Sequence, residues 1–304
     1  GYFNISKKPG KALVAYERAF SSNPADARLL YERDQLWKRL GKKPKQRLRE
    51  LEKHPEIVKQ RDDLSVELCA LYNQIGQPAK TLQLLDSRRF QPWEGGEGMA
   101  LGQHVRTHLT LGCKALVRHD WLGATGHFDN ALRSPENLGE AKHLLANQSD
   151  IHEWAGIAHI RLGDKRTARA HWLAAARFTS DFQEMSVRTF SEMSYYSILS
   201  RECLGQKEKA KKLFRELLGY SQQLQKSPAK TYYFATSLPT MLLFDDDLQF
   251  RQETTALFLQ AQAWLGLGNK MKGRVLLETV LHRDPNHALA ADLLAKRLQQ
   301  NGGI

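Results

Sequence analysis

The chain has 304 residues, of which 41% are hydrophobic and 26% charged, and a formal net charge of +12. That balance excludes a disordered tract, and the length fits one or two compact domains or a repeat array. No apolar run approaches the ~20 residues that a membrane-spanning helix needs, and residues 1–8 lack the apolar core of a secretion signal.

In chain order, one spacing of small and large apolar residues keeps returning. Ala12, Tyr16, Ala19 and Pro24 open it, and Leu68, Cys69, Tyr72 and Gly76 form a degenerate copy. Ala124, Phe128 and Ala131 give a second helix. His152, Gly156 and His159 then precede Gly163, Ala168, Trp172 and Ala175. Gly205, Ala210, Phe214 and Leu217 follow, and Leu257, Ala261, Trp264, Gly268, Gly273, Leu277, Val280 and Pro285 make the fullest copy. Each fits a helix–turn–helix frame of ~34 residues. Small residues let the paired helices approach, and large ones fill the gaps between neighbouring pairs. Gly, or a polar pair beside it, marks each turn between helices, as a helix C-terminus requires.

This frame resembles the tetratricopeptide repeat (TPR) family. The resemblance implies an all-α, right-handed superhelix (solenoid) of helix pairs, with residues 1–304 as a single domain. Regular repeats are expected over about 1–90 and irregular long repeats over about 91–250. A regular repeat with a capping helix follows over about 251–300, the cap running from His287 to Gln300. The place of Ala12 in the frame sets Gly1 inside a first helix, so the chain is expected to be an N-terminally truncated piece of a larger protein.

The turn markers drift. Gly41 to Gly76 is 35 residues, Gly76 to His119 is 43, His119 to Gly163 is 44, Gly163 to Gly205 is 42 and Gly205 to Gly268 is 63. Breaks in a local rule are where function or special packing is expected. Three segments stand out: Phe90–Gly98, Pro135–His143 and Tyr232–Asp247. In one reading they line a pocket on the concave side. Trp93, Glu94 and Glu97 are then its contacts, faced by Asn137, Glu140, His143, Tyr232, Tyr233, Asp245 and Asp246. In the other they are long connections that fill the interior, and Asp245–Asp247 cap the helix that follows.

Of the net charge, +8 falls in residues 1–60, which hold 15 Lys and Arg against 7 Asp and Glu. The densest stretch carries Lys38, Arg39, Lys42, Lys43, Lys45, Arg47 and Arg49. Such a patch can bind nucleic acid or an acidic partner. No nucleic-acid motif accompanies it, so it reads as a solvated loop and helix face.

The chemistry-bearing residues do not assemble into a known catalytic pattern. His104 and His108 are four apart, a spacing that can bind metal. The intervening residues lack a metalloprotease glutamate, and the pair reads as chance on a helix face. His152 and His159 read as packing residues, and no metal site or cofactor is expected. Cys69, Cys113 and Cys203 sit in apolar helical patterns and read as buried or half-buried reduced thiols, which suits a cytoplasmic location. Glu94 with Glu97, and Glu136 with Glu140, are carboxylate pairs that sequence proximity alone does not place across a substrate.

The segments PWEGGEG, ENLGEAKHLLANQ, FATSLPTMLLFDDDL and ARLLYERDQL go further. They resemble the C-terminal region of large bacterial proteins that carry an uncharacterised, mutarotase-like β-sandwich ahead of TPR repeats. That resemblance implies a bacterial cytoplasmic origin and a link to carbohydrate metabolism through the upstream domain. It transfers no catalytic residues. The expected function is a non-catalytic interaction scaffold, and the alternative is an accessory part of a carbohydrate-active enzyme. The expected partner is a protein or peptide or the upstream domain, with carbohydrate only through the parent protein and neither nucleic acid nor membrane.

Overall fold

The computed structural model describes residues 1–93, 95–178, 181–183, 186–229 and 243–300. They form an all-α solenoid. The helices are α1 (Pro9–Ser22), α2 (Ala27–Arg39), α3 (Pro44–Leu51), α4 (Pro55–Val58), α5 (Asp62–Gln74), α6 (Pro78–Asp86), α7 (Met99–Val117) and α8 (Trp121–Leu132). They continue as α9 (Ser149–Arg161), α10 (Lys165–Ala176), α11 (Ser194–Cys203), α12 (Lys207–Lys226), α13 (Leu248–Gly266), α14 (Lys270–Arg283) and α15 (Ala288–Gln300). A hairpin of two three-residue strands, β1 (Asp181–Gln183) and β2 (Ser186–Arg188), sits between α10 and α11.

Six antiparallel pairs follow one another: α2/α3, α5/α6, α7/α8, α9/α10, α11/α12 and α13/α14. The turns use one local device. Gly41, Gly76, Gly163, Gly205 and Gly268 have φ between 73° and 85°, and His119 takes the same left-handed backbone at φ 59°. At each, the next amide donates back to the carbonyl five residues earlier: Lys42 to Trp37 and Asp120 to Ala115 at 2.9 and 3.0 Å, for example. This closes the last helical carbonyls and reverses the chain in two residues. In three pairs the residue after the turn also caps the next helix. Asp120 accepts from Gly123 N, Asp164 from Thr167 N and Asn269 from Lys272 N.

Side-chain size holds the paired helices together. Ala124, Phe128 and Ala131 are fully buried, as are Ala168 and Ala175, and Ala210, Phe214 and Leu217. Two pairs repeat in close detail with a 44-residue offset. A Cβ on Gly112 would stand 2.4 Å from the Phe128 ring, and one on Gly156 would stand 2.3 Å from the Trp172 ring. Bare glycine is what lets each aromatic lie flat on the partner helix. Long helices, 19 residues in α7 and α13 and 20 in α12, and the connections at 87–98 and 133–148 contribute to the long spacings.

One apolar core runs from Leu109 on α7 to Leu293 on α15, and a second joins Phe20 on α1 to Leu71 on α5. The array also returns on itself. Helix α15 packs on α14, and its other side packs against α5 and α7. Phe244, ahead of α13, fits between Phe3 and Tyr16 with ring centroids at 5.2 and 5.9 Å. Among the described residues no helix is long and apolar enough to cross a membrane.

Candidate partner-binding groove

The first helices of successive pairs, α2, α5, α7 and α9, touch side by side and form an inner row. Polar groups lie buried between its helices and the adjacent α3. Asn73 on α5 donates to Gln103 Oε1 at 3.1 Å, and Thr107 Oγ1 on α7 donates to Asn73 Oδ1 at 3.1 Å. Arg47 is only 1% exposed. It donates to Asp34 at 3.0 Å and to Glu67 at 2.6 Å, and Lys38 reaches Glu67 at 3.0 Å. Burial pushes the Glu67 carboxyl up, but Lys38 and Arg47 outweigh it and hold its pKa well below the carboxylate range. Burial outweighs Arg47 at Asp34, whose pKa is raised. Glu67 therefore carries the firmer negative charge. Arg33, also buried, pairs with Glu17 at 3.3 Å and Glu50 at 2.6 Å, its guanidinium 4.1 Å from the Phe20 ring centre.

The C-terminal segment enters this row. Arg106 on α7 donates to both carboxylate oxygens of Asp292 on α15, at 2.8 and 2.7 Å, and also to Gln74 Oε1 at 2.6 Å. Arg47 Nη1 donates to Asn286 Oδ1 at 2.7 Å, and Asn286 Nδ2 donates to the Lys42 carbonyl at 3.3 Å. Gln74 donates to the Pro285 carbonyl at 3.5 Å. The inner row thus holds a helix of its own chain through buried polar groups.

The basic stretch is not one patch. Arg47 departs from the solvated-face reading because its guanidinium completes the network with Asp34 and Glu67. Lys38 is spent on Glu67, Arg39 on Asp246, and Lys42 lies over the Trp37 ring. Lys43, Lys45 and Arg49 are exposed.

The candidate pocket residues fall in two places. Asn137 donates to the carbonyls of Leu85 and Arg88 at 2.9 and 3.1 Å, closing the end of α6. Glu140 accepts from Gly98 N at 2.6 Å and Leu101 N at 3.4 Å, where the positive end of α7 favours an anion. Trp93 lies over Gly96, Glu97 is exposed beside it, and His143 is exposed with its Nδ1 accepting from Leu145 N. Asp245 pairs with Lys7, and Asp246 with Arg39 and Arg251, where the segment ahead of α13 meets the N-terminal helices. Asp247 caps α13 by accepting from Phe250 N. Glu94, Tyr232 and Tyr233 lie outside the described residues.

The histidines pack across helix pairs. His108 Nδ1 lies 3.1 Å from His127 Nδ1, and 44 residues on His152 Nδ1 lies 2.9 Å from His171 Nδ1. His104 is buried on His108 and bonds the Asn130 carbonyl at 2.9 Å, so that pair is interior rather than a surface coincidence. Burial first, and neighbouring histidines second, push His108 and His152 down to about 4. Among the described residues no three His, Cys, Asp or Glu side chains converge as a metal site. Cys69 and Cys113 are buried thiols outside any disulfide, whereas Cys203 is exposed, contrary to the expectation for all three. It lies at the end of α11, where the outer side of the last turn meets solvent.

Sequence reasoning missed the return of α15. Its trace is a charged residue, Arg106, inside the apolar pattern of α7, and a carboxylate, Asp292, among the leucines and alanines of the cap.

No protein-family model matches the chain. The structure is similar to the APC/C hetero-tetramer Cut9-Hcn1, at 12% identity and TM-score 0.40, over 96% of this chain and 47% of that one. The chain therefore spans about half the length of that neighbour. It is also similar to YrrB, a TPR protein with an unusual peptide-binding site, at 15% identity and TM-score 0.29, over 81% of this chain and 97% of that one. The TPR domain of P58(IPK) aligns at 15% identity and TM-score 0.30, over 98% of this chain and 95% of that one. At those scores the fold is read from the helix pairs themselves.

Proposed function

We propose that the chain is an interaction scaffold, non-catalytic by itself, that holds a polypeptide against the inner row of helices. One observation carries this reading: the row already grips a helix through Arg106 on Asp292, and Arg47 on the adjacent α3 anchors Asn286 just ahead of that helix. Surfaces that bind helices combine apolar burial with a few placed polar anchors; here the row supplies the anchors, and the core shared with α13 and α14 supplies the apolar burial. The partner is a separate protein or peptide, or an upstream domain of a longer parent chain. A β-sandwich in that position stays part of the proposal, as does a cytoplasmic setting, which accords with three cysteines outside any disulfide.

A photo-crosslinking amino acid placed at Gln103 or Thr110, on the inner row, tests the reading against one placed at Asp129 on α8 or Arg169 on α10, on the outer helices. The scaffold reading expects partner cross-links from the first two positions in excess of the last two. Equal yields from both faces, or none, would sink it. The carbohydrate reading gains no support from the loops at 93–98 and 137–140, because Asn137 and Glu140 are engaged with helix ends.

A further inference from the structure

We propose that the slot occupied by α15 is a receptor for a carboxylate-bearing amphipathic helix of a partner protein, and that α15 is the internal ligand such a partner displaces. This deepens the scaffold reading and rests on it.

The first argument is the counter-ion of Arg106. Arg33 and Arg47 are buried too, but each draws carboxylates from neighbouring helices: Glu17 and Glu50, Asp34 and Glu67. Arg106 is 9% exposed, and its other acceptors, Gln74 Oε1 and the Ala70 carbonyl, are neutral. Among the described residues, the carboxylate it pairs with is Asp292, 186 residues away. A buried guanidinium without an anion is costly, so the site on α7 is incomplete without an incoming helix.

The second argument is the shape of the slot. One wall is apolar: Ala290 and Leu293 of α15 are buried in the core that includes Phe258, Leu277 and Val280 of α13 and α14. The other wall is α5 and α7, with Gln74 and Arg106. An occupant must therefore offer a small residue and a leucine three apart on one side, and an aspartate just before the leucine on the other. Ala290, Asp292 and Leu293 meet that pattern. Asn286 adds an anchor ahead of the helix, bridging Arg47 and the Lys42 carbonyl.

The third argument is how α15 is tied in. It follows α14 through residues 284–287. The hydrogen bonds and ion pair that hold it to the inner row are polar and directional, and can be exchanged one for one by a partner carrying the same groups. Tethering gives α15 a high effective concentration, so an outside helix competes only when its anchors match or the internal ones weaken.

The test uses the full chain and a fluorescent synthetic peptide of residues 285–300 as the probe. Asp292→Asn removes the internal carboxylate and should raise peptide affinity at least tenfold over the unsubstituted chain, read by anisotropy. The same peptide carrying asparagine at its aspartate should lose that gain. Equal binding by the two chains, or by the two peptides, overturns the proposal. If the substituted chain loses helicity, amide exchange in the unsubstituted chain decides. Excess probe should speed exchange across residues 288–295, and unchanged exchange overturns the proposal. Inner-row cross-links to a partner with no such probe effect would leave the scaffold reading standing and remove the internal ligand.

Discussion

Arg106 on α7 holds Asp292 on α15 through two nitrogens, at 2.8 and 2.7 Å, and so joins the third helix pair to the cap of the whole array. Asp292→Ala should cost about 3 kcal/mol of stability, because breaking a buried pair leaves a charge stranded. Arg106→Met combined with Asp292→Leu should cost less than Asp292→Ala alone. Urea denaturation of the three variants checks the order. The other closing contact, Lys7 with Asp245, has side chains 68% and 52% exposed. Asp245→Ala should move stability by only a few tenths of a kcal/mol. If the two aspartates cost the same, the closure is not held where we place it.

Glycine at 112 and 156 is set by the aromatic across the pair. Alanine at either should cost about 1–3 kcal/mol, since a methyl at 2.4 or 2.3 Å from a packed ring forces the helices apart. Phe128→Leu should recover part of the loss in the Gly112→Ala background, by making room. Thermal melts of the single and double variants test this, and strictly additive losses would show that the ring is not the obstacle.

The turns and these glycines are legible in the sequence because they are local. All six turn markers, including the non-glycine His119, take a left-handed backbone, and Ala124, Phe128, Ala168, Ala210, Phe214, Ala261 and Leu277 of the frame are buried. The return of α15 is not legible, because its contacts join residues more than 180 positions apart and each half looks ordinary alone. Arg106 reads as a snorkelling charge, and Asp292 as the polar side of a cap. The loop residues mislead for a different reason. Glu140 and Asn137 have the chemistry of ligand contacts, but a helix end offers the same donors and acceptors as a ligand does. Only their placement, beside the start of α7 and the end of α6, separates the two uses.

That placement makes its own prediction. Asn137→Ala removes two carbonyl partners, and Glu140→Gln removes the charge facing the α7 amides. Each should lower stability by about 1 kcal/mol. Amide exchange should quicken at the α7 start, Gly98 to Leu101, in the Glu140 variant. A Glu140→Gln chain with unchanged melting but altered ligand binding would return Glu140 to the role of a contact residue.

The paired histidines give stability a pH window. His108 and His152 are pushed from 6.5 down to about 4, first by burial and then by their histidine neighbours. The facing groups are His104 and His127 for the first, and His171 and Lys142 for the second. With folded pKa values depressed, the unfolded chain binds more protons between about 6.5 and 4. The contribution of these two histidines is therefore full above about 6.5 and drains as pH falls through that interval. Each histidine sets a ceiling of about 3 kcal/mol on the loss. Carboxylates held low, such as Glu67 and Glu50, act in the same direction only below about 4.5, in the more acid range. Between pH 6.5 and 5 the slope therefore belongs to histidine. Urea unfolding at pH 7 and pH 5 should show a marked loss in the native chain. His108→Gln with His152→Gln should reduce it, because the amide offers a neutral partner at both pH values, while the other lowered histidines, His104, His127, His171 and His287, keep part of the slope. A slope unchanged by both substitutions would assign the loss to other groups and leave the repeated histidine pairs without a role in the acid response.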